Sequence, residues 1–250
     1  MNSNILTKIL ILFLMMTGLS LTGCGRGGTD ASSSSSTTSS TQNSTFHDKE
    51  SDVSHDDVFG SFPHPKEDLA QPGVTRAEVI FAGGCFWCTE AVFEQLAGVS
   101  DVVSGYAGGT KETANYRDVS TGKTGHAEVI RITYDPSKIS YGQLLRVFFA
   151  THDPTQLNRQ GNDVGPQYRS SIFYAHDDEK RVAQAYIKQL DDAKLYKSAI
   201  VTKLEPLTAF YEAEGYHQDY ARNNPLQPYI QFHALPNAKK VDKLFPELQQ

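Results

Sequence analysis

Cysteine is scarce. The 250-residue chain holds three, far too few for the disulfide framework that staples small secreted domains. Positive charge is also in deficit: 23 Lys and Arg stand against 29 Asp and Glu, a net charge of -6. That balance lacks the clustered Lys/Arg excess of a nucleic-acid footprint, and its acidic character serves solubility. The first apolar run, "ILILFLMMTGLSL" at 9–21, is short for a bilayer span. The glycines of "AGG" and "YAGG" lack phosphate-loop spacing, and no flavin or nucleotide motif is present. Apolar residues make up 39% of the chain but thin out between Gly25 and Gly73, which leaves room for one folded domain with attachments.

The attachments come first. Lys8 followed by the apolar run reads as an export signal. It ends in Leu21-Thr22-Gly23-Cys24, which resembles a bacterial lipobox. The resemblance implies a signal peptide over 1–23 and an exported chain anchored to a membrane of the cell envelope by lipid on Cys24. A plain secretory signal or an uncleaved anchor helix are the alternatives. Residues 24–72 are rich in Gly, Ser and Thr, then acidic, and cannot bury enough apolar surface to fold. They are expected to form a flexible tether, with His47, His55 and His64 solvated.

Residues 73–250 carry the periodic patterns of a single catalytic domain. "AEVIFAGG" is an apolar run ending in glycines and reads as a buried strand. "CTEAVFEQLAG" has helical spacing, with Gly98 as its C-cap. "VSDVVSGYAGG" and "HAEVIRITYDP" read as strands, the latter with Ile130, Ile132 and Tyr134 on one face. Ser140 is placed to cap "YGQLLRVFFATHD". A strand at "RSSIFYA", a helix over "DDEKRVAQAYIKQLDDAK" with Val182, Tyr186 and Leu190 inward, and a strand at "AIVTKLEP" follow. This order gives a two-layer α/β (α+β) domain. Segments 108–125 and 151–169 are long, polar and Gly-rich, and at that length inside a compact domain they read as ordered site loops.

Two of the three cysteines stand in "AGGCFWCTE", residues 82–90. Strand, glycines and helix place Cys85 at a helix N-terminus, where free N–H groups and the dipole favour a thiolate. Cys88 follows one turn later, about 5–6 Å away between Cα atoms, within disulfide range. Zinc needs four ligands, and the folded part has no further cysteine and no histidine pair at ligand spacing, so no metal is expected. A structural disulfide, a thiol–disulfide oxidoreductase and a nucleophile with its own resolving thiol remain open.

The wider sequence weighs on that choice. "GCFWCTEAVFEQLAGV", "YRDVSTGKTGHAEVIRITYDP", "FFATHDPTQLNRQGNDVGPQYRSSIFY" and "FYEAEGYHQDYARNNP" together resemble the peptide-methionine (S)-S-oxide reductases, the class A methionine sulfoxide reductases. The resemblance runs from about Val79 to Phe245. It implies a two-layer sandwich with a ferredoxin-like core and a reductase that uses no bound cofactor. Cys85 matches the nucleophile, Glu128 the acid, and Tyr116 and Tyr168 the hydroxyls that hold the sulfoxide oxygen. Asp163 matches a polar residue supporting the site, and Phe86 and Trp87 are placed to wall the methyl group.

Such chemistry leaves a sulfenic acid on Cys85 that a second thiol must resolve. The tail after Asn224 has no cysteine, and Ile230 stands where many members of the family carry one. Cys88 is then the internal resolving candidate, with direct attack by an external thiol as the alternative. The expected partners are oxidised methionine-containing proteins or free methionine sulfoxide, a thioredoxin-like reductant and the membrane, with the chain acting as a monomer. A thiol–disulfide oxidoreductase using Cys85 and Cys88, and a lipoprotein that only binds methionine-rich partners, are the competing functions. The grouping of Glu128, Tyr116 and Tyr168 with Cys85 favours the reductase over both.

Overall fold

The computed structural model describes residues 62–250. The expected signal segment 1–23, Cys24 and the tether up to residue 61 lie outside the described residues. Among the described residues no helix is long and apolar enough to cross a membrane.

Strand β1 (Ala77–Gly83) alternates as a buried strand must. Val79 and Phe81 join the main core, whereas Ile80 and Ala82 pack on the opposite face. Gly84 then adopts φ +97°, a region glycine enters without steric cost, and a Cβ there would meet the Gln160 side chain at 2.6 Å. This reversal launches α1 (Phe86–Phe93) with Cys85 as its N-cap. The helix stops at Phe93 instead of running on to Gly98. Leu96 and Ala97 are taken up by the C-terminus: the Ala97 N–H donates to the Leu248 carbonyl at 2.7 Å, and Leu96 bridges to Gln249. Tertiary pairing overrides helix propensity there, and Gly98, at φ +91°, turns the chain into β2 (Val99–Ala107).

The chain continues through the short helix α2 (Tyr116–Val119), β3 (Ala127–Tyr134) and α3 (Tyr141–Thr151). Ser140 caps α3 as expected. Its hydroxyl accepts from the Gln143 N–H and the Gln143 side chain accepts from the Ser140 N–H, a capping box. The loop beyond holds a small hairpin of β4 (Arg159–Gln160) and β5 (Asp163–Val164), and β6 (Ser170–Tyr174) follows. Helix α4 (Asp177–Asp192) buries Val182, Tyr186 and Leu190 as its periodicity requires. Then come β7 (Lys203–Pro206), shorter than "AIVTKLEP" suggests, and β8 (Phe210–Glu212), α5 (Tyr220–Asn223) and α6 (Leu235–Leu244), which local patterning did not announce.

The main sheet has the order β7-β6-β1-β3-β2-β8. Its inner four strands, β6-β1-β3-β2, pair antiparallel throughout. Each of the two crossovers, β1-α1-β2 and β3-α3-β6, skips one strand, which is the split βαβ arrangement of a ferredoxin-like fold. Strand β7 extends it in parallel beside β6, and β8 closes the other edge against β2. The core lies between the sheet and its helices, where Phe81 meets Phe148 at 4.9 Å and Phe93 at 5.9 Å. The expected α/β two-layer sandwich is the observed one.

The expected boundary at 72/73 shifts. Phe62 is buried in the main core, and residues 62–71 strap across α3 and α4. The Arg146 guanidinium donates to the Phe62 carbonyl, the Tyr186 hydroxyl to the Pro63 carbonyl and the Gln189 amide to the His64 carbonyl. Asp68 accepts from the Gly142 N–H. The composition suggests a tether because it is polar, yet the strap is held by three main-chain carbonyls together with the buried Phe62 ring and the Asp68 carboxylate. Phe62→Ala is expected to destabilise the chain by about 3 kcal/mol, the usual cost of emptying a buried aromatic site. Urea unfolding checks this, and an unchanged midpoint would return these residues to the tether.

Candidate active site

Cys85, Phe86, Trp87, Tyr116, Glu128, Asp163 and Tyr168 line one cleft of about 230 Å³, together with Gln227 and Tyr229. Every residue that sequence reasoning placed at the site, apart from Cys88, therefore meets there. Cys88 lies behind Cys85 and is buried.

The cleft follows from the fold. Side chains alternate along β3, so Glu128 shares the helix-facing side with Ile130, Ile132 and Tyr134. It is 2% exposed, not a solvent-facing strand residue, and sits under the start of α1. There it accepts the Phe86 N–H at 3.1 Å, one of the donors that a helix N-terminus leaves free. Burial pushes the Glu128 carboxyl well above the usual carboxylate range. The charge of Cys85 raises it further, the Phe86 N–H works against this, and Asp163 adds to it. The site favours the protonated, neutral form of Glu128.

Cys85 sits at the helix start as expected, but the consequence for its thiol is reversed. Burial raises its pKa well above that of an ordinary thiol, and a hydrogen bond and charge interaction with Cys88 raise it further. The Tyr229 hydroxyl hydrogen-bonds to it and pulls the other way, while Asp163 raises it again. Desolvation outweighs the benefit of the helix terminus. Cys85 and Cys88 are both free thiols, within hydrogen-bonding reach of each other.

The two long loops deliver the remaining groups. Asn115 caps α2 by accepting the Asp118 N–H, which sets the turn that carries Tyr116. Arg169 ties the loops together: it donates to the Gly125 and Pro166 carbonyls and pairs with Glu205 at 2.8 Å. Burial raises the hydroxyl pKa of both Tyr116 and Tyr168, with the Glu128 charge adding to it. Both phenols therefore stay protonated and able to donate. Asp163 accepts the Tyr229 hydroxyl, joining the β5 hairpin to the C-terminal segment across the cleft.

Five contributors went unforeseen. Glu214 accepts the Tyr116 N–H at 3.0 Å and the Tyr106 hydroxyl at 2.9 Å, and so positions Tyr116. His217 accepts the Trp87 indole N–H through Nδ1 at 3.1 Å. Burial lowers the His217 pKa, with Glu214 opposing, which keeps the ring neutral and able to accept. Tyr220 stacks on Trp87 at 3.9 Å. Gln227 and Tyr229 close the cleft. "FYEAEGYHQDYARNNP" held the first three as a matching motif, but nothing local in it singled out Glu214, His217 or Tyr220. Among the described residues no three His, Cys, Asp or Glu side chains are grouped as a metal site would require.

A free thiol and a buried carboxyl share one cleft walled by aromatic rings on a ferredoxin-like sandwich, an arrangement suited to cysteine-based redox chemistry. Comparison with known proteins names the family. Residues 77–249 match the peptide methionine sulfoxide reductase family. The peptide methionine sulfoxide reductase MsrA 2 of Mesorhizobium japonicum is 55% identical over 183 residues, which cover 73% of this chain and 93% of that protein. MsrA of Deinococcus radiodurans is 51% identical over 175 residues, covering 70% and 85%. Two solved structures agree in fold. Reduced Mxr1 from Saccharomyces cerevisiae is 33% identical with a TM-score of 0.57, covering 67% of this chain and 96% of its own. Methionine sulfoxide reductase A of Corynebacterium diphtheriae is 35% identical with a TM-score of 0.54, covering 63% and 78%. The chain belongs to the peptide methionine sulfoxide reductase family and is an oxidoreductase that reduces methionine sulfoxide.

Proposed function

We propose that this enzyme reduces the S epimer of methionine sulfoxide, free or in proteins, with Cys85 as nucleophile and Glu128 as acid. The observation that carries the reading is the meeting of these two groups at the start of α1, within one cleft. The Cys85 sulfur attacks the sulfoxide sulfur. The sulfoxide oxygen takes its proton from Glu128 and is steadied by the Tyr116 and Tyr168 hydroxyls. Phe86 and Trp87 shelter the methyl group, and His217 and Tyr220 hold Trp87 in place. Asp163 anchors Tyr229 beside the thiol. The thiol proton restores Glu128, the sulfoxide S–O bond and the transient sulfur–sulfur bond break, and the oxygen ends on Cys85, so thiol and sulfoxide become sulfenic acid and methionine.

Cys88 then condenses with the sulfenic acid, forming a disulfide and releasing water. A thioredoxin-like dithiol reduces that disulfide by exchange. All electrons come from thiols, so the cycle needs no bound cofactor. The cleft is complete within one chain, which supports action as a monomer. Export by the 1–23 signal and lipid attachment at Cys24 would hold the catalytic domain at a membrane of the cell envelope. There it would repair oxidised envelope proteins.

A reductant-free single turnover tests the chemistry. Reduced full-length chain is mixed with a slight excess of methionine-S-sulfoxide, and released methionine and intact mass are recorded. One methionine per chain with loss of two hydrogens is the expected result. No methionine from folded, reduced chain would overturn the role of Cys85.

A further inference from the structure

Among the described residues, the large apolar side chains left exposed are Val74, Leu157, Val164, Tyr216, Leu226 and Phe232. Soluble proteins scatter such residues, and a cluster marks a contact surface. All but Val74 fall on the segments that build the cleft. Val164 follows Asp163 on the small hairpin, and Leu157 lies in the same loop. Its neighbour Asn158 is tied to the hairpin by the Gly165 N–H at 2.9 Å. Leu226 precedes the cleft residue Gln227, and Phe232 stands three residues after Tyr229. They are 82% and 74% exposed. The Tyr216 ring lies tilted against His217 with centres 4.1 Å apart, and His217 meets Tyr116 at 4.5 Å. The bond from Tyr229 to Asp163 joins the hairpin and the C-terminal segment, so exposed apolar residues lie on the chain segments that meet at the cleft.

At about 230 Å³ the cleft is smaller than the roughly 300–1,000 Å³ pockets that enclose a whole drug-sized ligand. It takes one side chain and leaves the flanking substrate residues at its mouth. We propose that this apolar rim binds the residues on either side of the methionine sulfoxide. The preferred substrate is then an extended, unfolded segment in which the sulfoxide is flanked by apolar side chains. This rests on the reading of Cys85 as the nucleophile of the cleft. Chemistry supports the occupant. Methionine is mostly a buried residue, and its oxidation puts a polar group into a core and disrupts it. The damaged segment that becomes accessible is therefore one rich in apolar neighbours.

The test uses the full-length chain with dithiothreitol as reductant, which removes any protein donor. The substrates are N-acetyl-methionine-S-sulfoxide amide and pentapeptides with a central methionine-S-sulfoxide flanked by Leu and Phe or by Ser and Gly. The apolar peptide is expected to show kcat/KM about tenfold above the Ser/Gly peptide, a factor that partial burial of flanking side chains supplies. The double variant Leu226→Ser, Phe232→Ser should bring that ratio to within about twofold, with kcat/KM on the small amide unchanged. Leu157→Ser, in the hairpin loop, should act in the same direction. Equal kcat/KM for the two peptides in the unsubstituted chain would overturn the proposal. So would variants that slow only a thioredoxin-driven assay, because the rim would then serve the reductant. If the unsubstituted chain fails on the small amide as well, the fault lies with the reading of the cleft.

Discussion

Glu128→Gln is expected to lower kcat by roughly 10²–10⁴-fold, the usual contribution of a positioned general acid, while leaving the chain as stable as before or more so. The two effects share one cause. Burial and the neighbouring Cys85 raise the Glu128 pKa in the folded state. Its stabilising contribution is therefore complete below the ordinary carboxylate range. It is lost progressively as pH rises through the folded pKa, because ionisation then opposes folding. Glutamine keeps an oxygen to accept the Phe86 N–H and carries no charge to desolvate. The variant gains relative to the parent as pH rises through the folded pKa of Glu128.

Activity follows the same titration. The parent's kcat should fall as pH rises through the folded pKa of Glu128, and the variant should lack that limb. Asp163 and Cys85 face the carboxyl from the β5 hairpin and the start of α1, so the limb reports a coupled set. Glu90 and Glu94 also have raised values, each about 7, chiefly through burial. Only the difference between variant and parent isolates Glu128. Denaturant midpoints and kcat across pH 5–9 check both effects. A variant that loses activity together with stability would mark Glu128 as a structural residue.

The sequence announced what depends on neighbours along the chain. The strand–glycine–helix order around Cys85 was legible because local patterning alone sets it. Glu128 was legible only through the family match, because strand alternation by itself equally allowed a solvent-facing glutamate. The two-layer α/β class followed from the order of elements, and the ferredoxin-like core from the family resemblance. Long-range partners were hidden. Trp87 meets His217 across 130 residues, Tyr116 meets Glu214 across 98, and Asp163 meets Tyr229 across 66. None of these residues has a periodic position that marks it. The strap at 62–71 escaped for a different reason, since much of its hold runs through carbonyls that every residue possesses and the rest through the isolated side chains of Phe62 and Asp68. The sign of the Cys85 shift was misjudged because a helix terminus is visible in sequence and burial is not.

Cys88→Ser is expected to leave the first turnover intact and to slow donor-driven cycling more than tenfold. The first step needs only Cys85 and the acid, so one methionine should still be released per chain. The product should then keep the transferred oxygen on Cys85, because serine cannot condense with a sulfenic acid. Proximity favours Cys88 in the parent. Its thiol shares a hydrogen bond with Cys85, and residues one helical turn apart lie within the Cα range of a disulfide. Burial favours it too. Cys85 is 7% exposed, so a protein donor has little access to the sulfenic acid itself. The rearrangement is local: Cys85 is the N-cap, and its carbonyl accepts the Cys88 and Thr89 N–H groups. Bringing the two sulfurs together strains that first turn and moves Cys85 out of the cleft, which also clears the cleft for methionine to leave. Dithiothreitol is small enough to reach the sulfenic acid, so the variant should retain most of its activity with that reductant. Steady-state rates with a thioredoxin-type donor and with dithiothreitol, alongside the mass of the single-turnover product, decide the matter. An undiminished donor-driven rate in Cys88→Ser would show that an external thiol attacks Cys85 directly.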